Sequence, residues 1–227
     1  MSIDLVPFAV SGKLALWVTL ILLVAMFPCA WVFARSRRGW VPWVESLFSL
    51  SLVLPPTVLG FYLLVFLSPL SAVGGWLQKT FGITLVFNFA GLVLASCLAG
   101  MPFMLTALRN GIQAIPEHLL EASWTLGKGR LETIWRVVLP NLRPALLAGV
   151  VTTFAHTLGE FGVVLMIGGS LPGVTKVVSI AIYERAEAQD MASAHTYAII
   201  LLVISYAGVF LLNRLQNPAS RRLRDRI

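Results

Sequence analysis

The sequence has very little charge. Of its 227 residues only 12% are Asp, Glu, Lys or Arg, whereas 58% are hydrophobic and the mean hydropathy is +0.85. Soluble domains average about a quarter charged residues, so this chain has roughly half the charge that a globular surface needs. The composition excludes both a soluble enzyme and a disordered chain, and it predicts a protein whose main solvent is the lipid bilayer.

Cysteine is scarce as well, and a phosphate-binding loop is absent. The two cysteines, Cys29 and Cys97, lie in apolar stretches without CxxC or Cys/His spacing, which indicates packing and neither a disulfide framework nor a metal site. No GxxxxGK[ST] occurs, because neither Gly12-Lys13 nor Gly127-Lys128 is followed by Ser or Thr. We therefore expect no cofactor or metal in this chain.

Long apolar runs dominate what is present. Five stretches are long enough to cross about 30 Å of hydrocarbon as helices, with predicted bounds of 14–34, 45–67, 84–107, 144–168 and 192–213. The first exceeds the apolar core of a signal peptide and is followed by arginines, so we interpret it as a retained helix. Pro55-Pro56 and Pro102 remove backbone donors within spans and predict kinks. The fold class is thus an all-α membrane protein forming one domain over 1–227.

Basic residues are distributed unevenly between the segments that join these spans. Alternate segments carry 13 and 4 of the 17 Lys and Arg residues. Because basic residues favour the cytoplasmic side, the distribution predicts an outside N-terminus and a cytoplasmic C-terminus. The net charge of +7 then reflects membrane topology, and we expect no nucleic-acid partner.

The segment 109–143 is the extended polar stretch on the predicted inner side. Pro116-Glu117 is typical of a helix start, and Gly127 with Gly129 indicates a break. A second amphipathic helix follows and is expected to end at Leu139-Pro140. The pattern alone allows two interpretations: interfacial helices anchored in lipid headgroups by Trp124 and Trp135, or a docking site for a partner protein.

The same segment resembles the EAA loop of the permeases of binding-protein-dependent ABC importers, with Ser123 in place of an alanine and Val137 in place of an isoleucine. The resemblance implies an ABC importer permease fold and a separate ATPase subunit, present in two copies, that binds ATP and Mg²⁺. It also implies that the following residues couple the chain to that subunit: Glu121, Ala122, Ser123, Gly127, Leu139 and Pro140.

Further segments are similar to the molybdate permeases of this family. They are Leu-Pro-Pro-Thr-Val at 54–58, Phe-Gly-Ile-Thr at 81–84, Leu-Gly-Glu-Phe-Gly at 158–162 and Pro-Gly-Val-Thr-Lys at 172–176. Tungstate and sulfate permeases share the 158–162 type of segment, so these anions are the alternative cargoes. The resemblance implies an extracytoplasmic oxyanion-binding protein and a second copy of the chain as partners, in a bacterial inner membrane.

The interiors of the predicted spans contain no Lys or Arg, so a dianion would meet only hydroxyl groups, backbone dipoles and helix ends. The candidate residues for the pathway or gate are Ser51, Pro55, Pro56, Thr57, Thr153, Thr157 and Glu160. Each hydroxyl could instead bond to a carbonyl of its own helix. For Glu160 we expect a structural or gating role, bonded to backbone near Gly159 and Gly162, because an acid repels an anion. We expect His156 to be packed or hydrogen-bonded.

An ion-coupled secondary transporter or channel is the competing function. Proton coupling would require a relay of acids within the spans, and an inverted repeat would be typical of such a transporter. Glu160 stands almost alone among the predicted spans and no repeat is evident, so the sequence favours the ATP-driven importer.

Overall fold

The computed structural model describes residues 3–36 and 38–216. Arg37 and the basic residues beyond 216, which contribute to the predicted orientation, lie outside the described residues. All regular elements within the described ranges are helical, which confirms the predicted all-α class.

The helices follow one another in short steps. Their bounds are α1 Val6–Arg35, α2 Val41–Val53, α3 Pro56–Leu67, α4 Ala72–Phe81, α5 Phe89–Gln113, α6 Glu117–Thr125, α7 Arg130–Thr133, a π-helical turn Ile134–Val138, α8 Leu139–Gly159, α9 Gly162–Gly168, α10 Val178–Glu187 and α11 Met191–Gln216.

Four continuous helices in the described chain have the length and hydropathy of a membrane span, namely Val6–Arg35, Phe89–Gln113, Arg130–Gly159 and Met191–Leu211. They overlap four of the five predicted runs, but the predicted span 144–168 is not one helix, because α8 ends at Gly159 and α9 begins at Gly162. The predicted span 45–67 is not one helix, because α2 and α3 meet at an angle of 110°. Leu54 and Pro55 are extended there, with ψ of 135° and 132°. Since Pro56 has no N–H to continue the ladder, the predicted kink is confirmed as a full break.

The helix that we expected to end at Leu139-Pro140 continues instead. Arg130–Gly159 is a single helix of 30 residues that contains α7, the π-helical turn and α8. A proline ring normally clashes with the carbonyl four residues earlier. The wider π-helical turn immediately before Pro140 relieves that clash, so the helix passes the proline without breaking.

The core lies where α1, α5 and α8 pack together, and its fully buried side chains include Leu14, Met104, Leu108 and Leu142. Glycines bring α5 and α8 close together: a Cβ on Gly111 would lie 2.3 Å from the Ala145 Cβ. Small residues at such contacts are typical of helices that associate in lipid, where van der Waals packing replaces the hydrophobic effect.

Candidate functional site

The 109–143 segment forms a helical corner, as predicted. α6 begins at Glu117 directly after Pro116, and Gly127 ends the turn with φ of +74°. That left-handed conformation disfavours residues with a Cβ, although nothing lies within 4 Å of a Cβ built on Gly127. The constraint at Gly127 is therefore conformational and not steric.

A buried hydrogen bond closes this corner. The Ser123 and Thr133 hydroxyl oxygens lie 2.9 Å apart, and both residues are buried. The Thr133 hydroxyl also donates to the Gly129 carbonyl at 3.0 Å. Ser123 therefore faces inward and holds α6 against α7, whereas Glu121 and Ala122 on the same helix are exposed.

The six predicted coupling residues thus do not form one surface. Glu121, Ala122 and Gly127 are exposed at the corner, and Ser123 lies beneath them. Leu139 and Pro140 lie further along the continuous helix, after the π-helical turn. Large apolar side chains that the motif does not contain surround the corner and are more than half exposed: Trp124, Leu126, Leu131 and Trp135.

A small ion-pair network lies on the part of the corner that follows Gly127. Glu132 lies 2.8 Å from Lys128 Nζ and 3.0 Å from Arg136 Nε. These side chains are at the surface, so the network orders the corner only weakly.

Arg35, at the end of α1, fastens the start of the corner to the rest of the protein. Its Nη2 donates to the carbonyls of Ile112 at 3.1 Å and Ile115 at 3.0 Å, and its Nη1 lies 3.7 Å from Glu117 Oε1. It borders a cleft of about 510 Å³ that Trp124 and Glu121 also line. In the sequence Arg35 is one of several arginines that follow the first predicted span, and nothing in the pattern indicates this role.

Two helix breaks meet on the other side of the core. α8 ends at Gly159, Glu160 is extended with ψ of 134°, and α9 begins at Gly162. Gly162 lies against the α2–α3 break, since a Cβ on it would be 3.0 Å from both Pro56 Cβ and the Thr57 backbone nitrogen. Irregular backbone at membrane depth is tolerated where it is buried in protein or lines a cavity.

A cavity of about 480 Å³ lies between the two breaks. Of the predicted pathway residues, Ser51, Pro56, Thr57 and Glu160 line it. Phe103 and His156 line it too, and no Lys or Arg occurs among the described residues that line it.

The remaining pathway candidates lie elsewhere. Thr157 donates to the Thr153 carbonyl of its own helix at 2.9 Å, and Thr153 is buried in the packing of α8 against α5. Pro55 is exposed and is not among the residues around the cavity. The alternative of a hydroxyl bonded within its own helix therefore holds for Thr157.

The expected backbone bonds of the Glu160 side chain are not present. Glu160 is 5% exposed, and neither carboxyl oxygen makes a hydrogen bond of ordinary geometry among the described residues; the neighbouring polar group is the buried Ser96 hydroxyl of α5. Only its backbone takes part, since its carbonyl accepts from the Ser179 hydroxyl at 2.6 Å. His156 packs as expected, with its ring 4.3 Å from that of Phe103, and its Nε2 is buried without a partner in the described chain.

The segment between α9 and α10 is held by a charged cluster. Lys176 and the Ser170 hydroxyl both bond to the Glu184 carboxylate. Burial raises the pKa of this carboxyl, but the two hydrogen bonds and the Lys176 charge lower it more, so it lies below the ordinary 4.5. Tyr183 of α10 contacts Phe161 with ring centroids 5.1 Å apart, which links α10 to the α8–α9 break.

The amino-acid sequence is similar to those of known transport proteins. Residues 26–225 match the family described as binding-protein-dependent transport system inner membrane component. The chain is 42% identical over 209 residues, 92% of each chain, to the molybdenum transport system permease protein ModB of Azotobacter vinelandii. It is 33% identical over 194 residues to the sulfate transport system permease protein CysT of Escherichia coli, covering 86% of this chain and 70% of that one.

Solved structures share the fold at low sequence identity. The methionine ABC transporter MetNI in an inward-facing conformation aligns with a TM-score of 0.71 and 15% identity, covering 92% of this chain and 93% of the other. A bacterial ABC transporter involved in the import of the polysaccharide alginate aligns with a TM-score of 0.72 and 18% identity, covering 92% and 79%.

Proposed function

Because the chain belongs to the family of binding-protein-dependent transport system inner membrane components, we propose that it is the permease subunit of an ATP-driven importer whose cargo is molybdate. The observation that carries the choice of cargo is the 42% identity to a molybdenum permease over 92% of both chains. The sulfate permease CysT is less similar, at 33% identity, and the alignment covers only 70% of the CysT chain. Sulfate is therefore the second candidate, together with tungstate.

The membrane topology belongs to the proposal. If α2 and α3 together count as one broken span, the described chain crosses the bilayer five times. The N-terminus then lies outside, and Arg35, Arg109, Arg130, Arg136 and Arg143 lie toward the cytoplasm. This arrangement agrees with the usual preference of basic residues for the cytoplasmic side.

Transport needs an energy source, and we assign ATP hydrolysis to a separate subunit that binds ATP and Mg²⁺. The corner of the 109–143 segment supplies the contact: Glu121 offers a charge, Ala122 allows close approach, and the exposed Trp124 and Leu126 offer apolar surface. Gly127 and Ser123 shape the corner. Leu139 and Pro140 belong to the continuous helix that carries its movement toward the cavity.

The cavity between the two breaks is then part of the cargo pathway. Because no Lys or Arg is among its described lining residues, it would bind a dianion weakly, which suits a conduit that must release its cargo. Selection would be left to an extracytoplasmic binding protein. One chain of this size does not surround a path, so we assign the complete transporter two copies of this chain on two ATPase subunits.

Reconstitution in liposomes tests this function. The chain, its ATPase and the binding protein together should accumulate radiolabelled molybdate when ATP is supplied, and tungstate and sulfate as competitors should rank the three anions. Accumulation against a gradient by the chain alone would instead support the secondary transporter. Uptake of sulfate but not molybdate would change the cargo and keep the mechanism.

Glu121→Lys tests the assigned contact. Reversing this exposed charge should abolish ATP-driven uptake while membrane insertion and dimer formation persist, because the side chain forms no hydrogen bond or ion pair among the described residues. Glu187→Lys, which reverses an exposed acid on α10 and removes a surface hydrogen bond from the Tyr183 hydroxyl, serves as the matched control and should preserve assembly with the ATPase. Normal uptake by Glu121→Lys would contradict the assignment.

A further inference from the structure

We infer that Glu160 and His156 form a transient oxyanion subsite in the cavity between the two helix breaks, where both side chains donate hydrogen bonds to the cargo and Glu160 does so as a neutral acid. This inference rests on the proposed function, since it names the contacts that the cargo makes in the pathway. It replaces the expectation that Glu160 only stabilises the break.

The two side chains are placed for such a role. They are four residues apart on either side of the end of α8, and both line the cavity. Glu160 is 5% exposed, and neither carboxyl oxygen makes a hydrogen bond of ordinary geometry among the described residues, although the buried Ser96 hydroxyl of α5 lies nearby. His156 Nε2 is likewise buried without a partner. Native structures pair almost all buried polar atoms, so unpaired ones on residues that line a cavity point to a ligand.

The surroundings of Glu160 favour its neutral form. Burying an ionised carboxylate without a partner costs far more free energy than burying the neutral acid. The titratable groups around Glu160 include His156 of α8, which lines the same cavity, and Cys97 of α5. Tyr183 of α10 contacts the neighbouring Phe161. In α2 and α3 the titratable residues are Glu45, paired with Arg109 at 2.7 Å, and the exposed Tyr62.

A neutral acid removes the objection that Glu160 would repel an anion. In that state the carboxyl group offers one O–H donor, and a neutral imidazole offers one N–H. The approach of a dianion further stabilises the proton on Glu160, so cargo and proton favour each other at this position.

The end of α3 adds a third donor. Thr57 is the first residue of this twelve-residue helix with an N–H, and it lines the cavity. The next two N–H groups, of Val58 and Leu59, bond to the Pro55 carbonyl. The positive end of the helix dipole therefore faces the same space as Glu160. The cavity volume of about 480 Å³ accommodates a tetrahedral oxyanion with part of its hydration shell.

The test uses the reconstituted transporter with its ATPase and saturating binding protein, and it measures ATP-driven molybdate uptake between pH 6 and 8.5. Glu160→Gln keeps a neutral donor of the same shape, and Glu160→Leu removes the donor. His156→Gln keeps a donor in the imidazole position, whereas His156→Leu does not. Glu187→Gln, at an exposed acid outside the cavity, keeps an acceptor for the Tyr183 hydroxyl and is the matched control. Thermal unfolding and assembly with the ATPase establish that each variant is folded.

We expect Glu160→Gln to keep at least half of the wild-type uptake at pH 7 and Glu160→Leu to lose about tenfold or more, as for removal of a hydrogen bond to a charged group. Wild-type uptake should fall relative to Glu160→Gln uptake as the pH rises, because the glutamic acid at position 160 ionises and the glutamine does not. His156→Gln should likewise exceed His156→Leu.

Three results would overturn the subsite. Glu160→Gln could fail as severely as Glu160→Leu, which would show that the negative charge is needed. Glu160→Leu could retain full uptake at every pH, which would show that the side chain has no role. The ratio of wild-type to Glu160→Gln uptake could be independent of pH, which would exclude the neutral acid. A wild-type complex that carries no oxyanion at all would overturn the proposed function as well.

Discussion

Replacing Arg35 with Met tests how the 109–143 corner is attached to the membrane-spanning helices. The guanidinium donates to two carbonyls at the end of α5, Ile112 at 3.1 Å and Ile115 at 3.0 Å, and the side chain is 20% exposed. Hydrogen bonds from charged donors contribute about 1.5–3 kcal/mol each, and partial exposure favours the lower end. The pair with Glu117, whose side chain is 73% exposed, adds at most about 1 kcal/mol.

The expected loss is therefore about 3 kcal/mol, which corresponds to roughly a hundredfold increase in local opening. Hydrogen-exchange mass spectrometry on peptides covering 110–126 should detect it as faster exchange in Arg35→Met, with little change in α1 and α5 elsewhere. Arg143→Met, at an exposed arginine on α8, is the control and should exchange like the wild type. Unchanged exchange at 110–126 in Arg35→Met would refute the anchoring role.

Two further substitutions probe the corner and the charged cluster near α10. Gly127→Ala should increase opening of the corner about fivefold in the same exchange assay, because a φ of +74° costs a residue with a Cβ about 1 kcal/mol, and Gly127→Asn should be milder. Lys176→Met should destabilise the protein by about 1 kcal/mol or less at neutral pH, since both side chains are partly exposed. Because the pKa of Glu184 is lowered by folding, this difference in thermal stability should vanish as the pH falls well below 4.5, and a gap that persists in acid would contradict the pairing.

Local patterns were sufficient to predict the helical class, the positions of the apolar runs and the corner of the 109–143 segment. Pro116 and Gly127 have the expected effects because helix starts and left-handed turns depend on one or two residues. The helix end predicted at Leu139-Pro140 is wrong because the local effect of a proline depends on the turn before it. A π-helical turn is not visible in the amino-acid pattern.

The contacts that complete the site could not be predicted from the sequence, because they join distant parts of the chain. Arg35 bonds to carbonyls 77 and 80 residues away, and backbone carbonyls carry no sequence signal. Glu160 and His156 stand out in sequence as polar residues one turn apart. The cavity between them and Thr57, however, exists only because the α2–α3 break lies against Gly162.

The unbroken helix from Arg130 to Gly159 has a mechanical consequence. Thirty residues at 1.5 Å each make a rod of roughly 45 Å, so a tilt of about 5° at one end displaces the other by about 4 Å. Near one end of this helix, Thr133 is hydrogen-bonded to Ser123 beneath the corner. Near the other end, His156 lines the cavity. A small rotation delivered at the membrane surface would thus be magnified into a displacement comparable to the diameter of a small ion, with no need for the helix itself to bend or unwind.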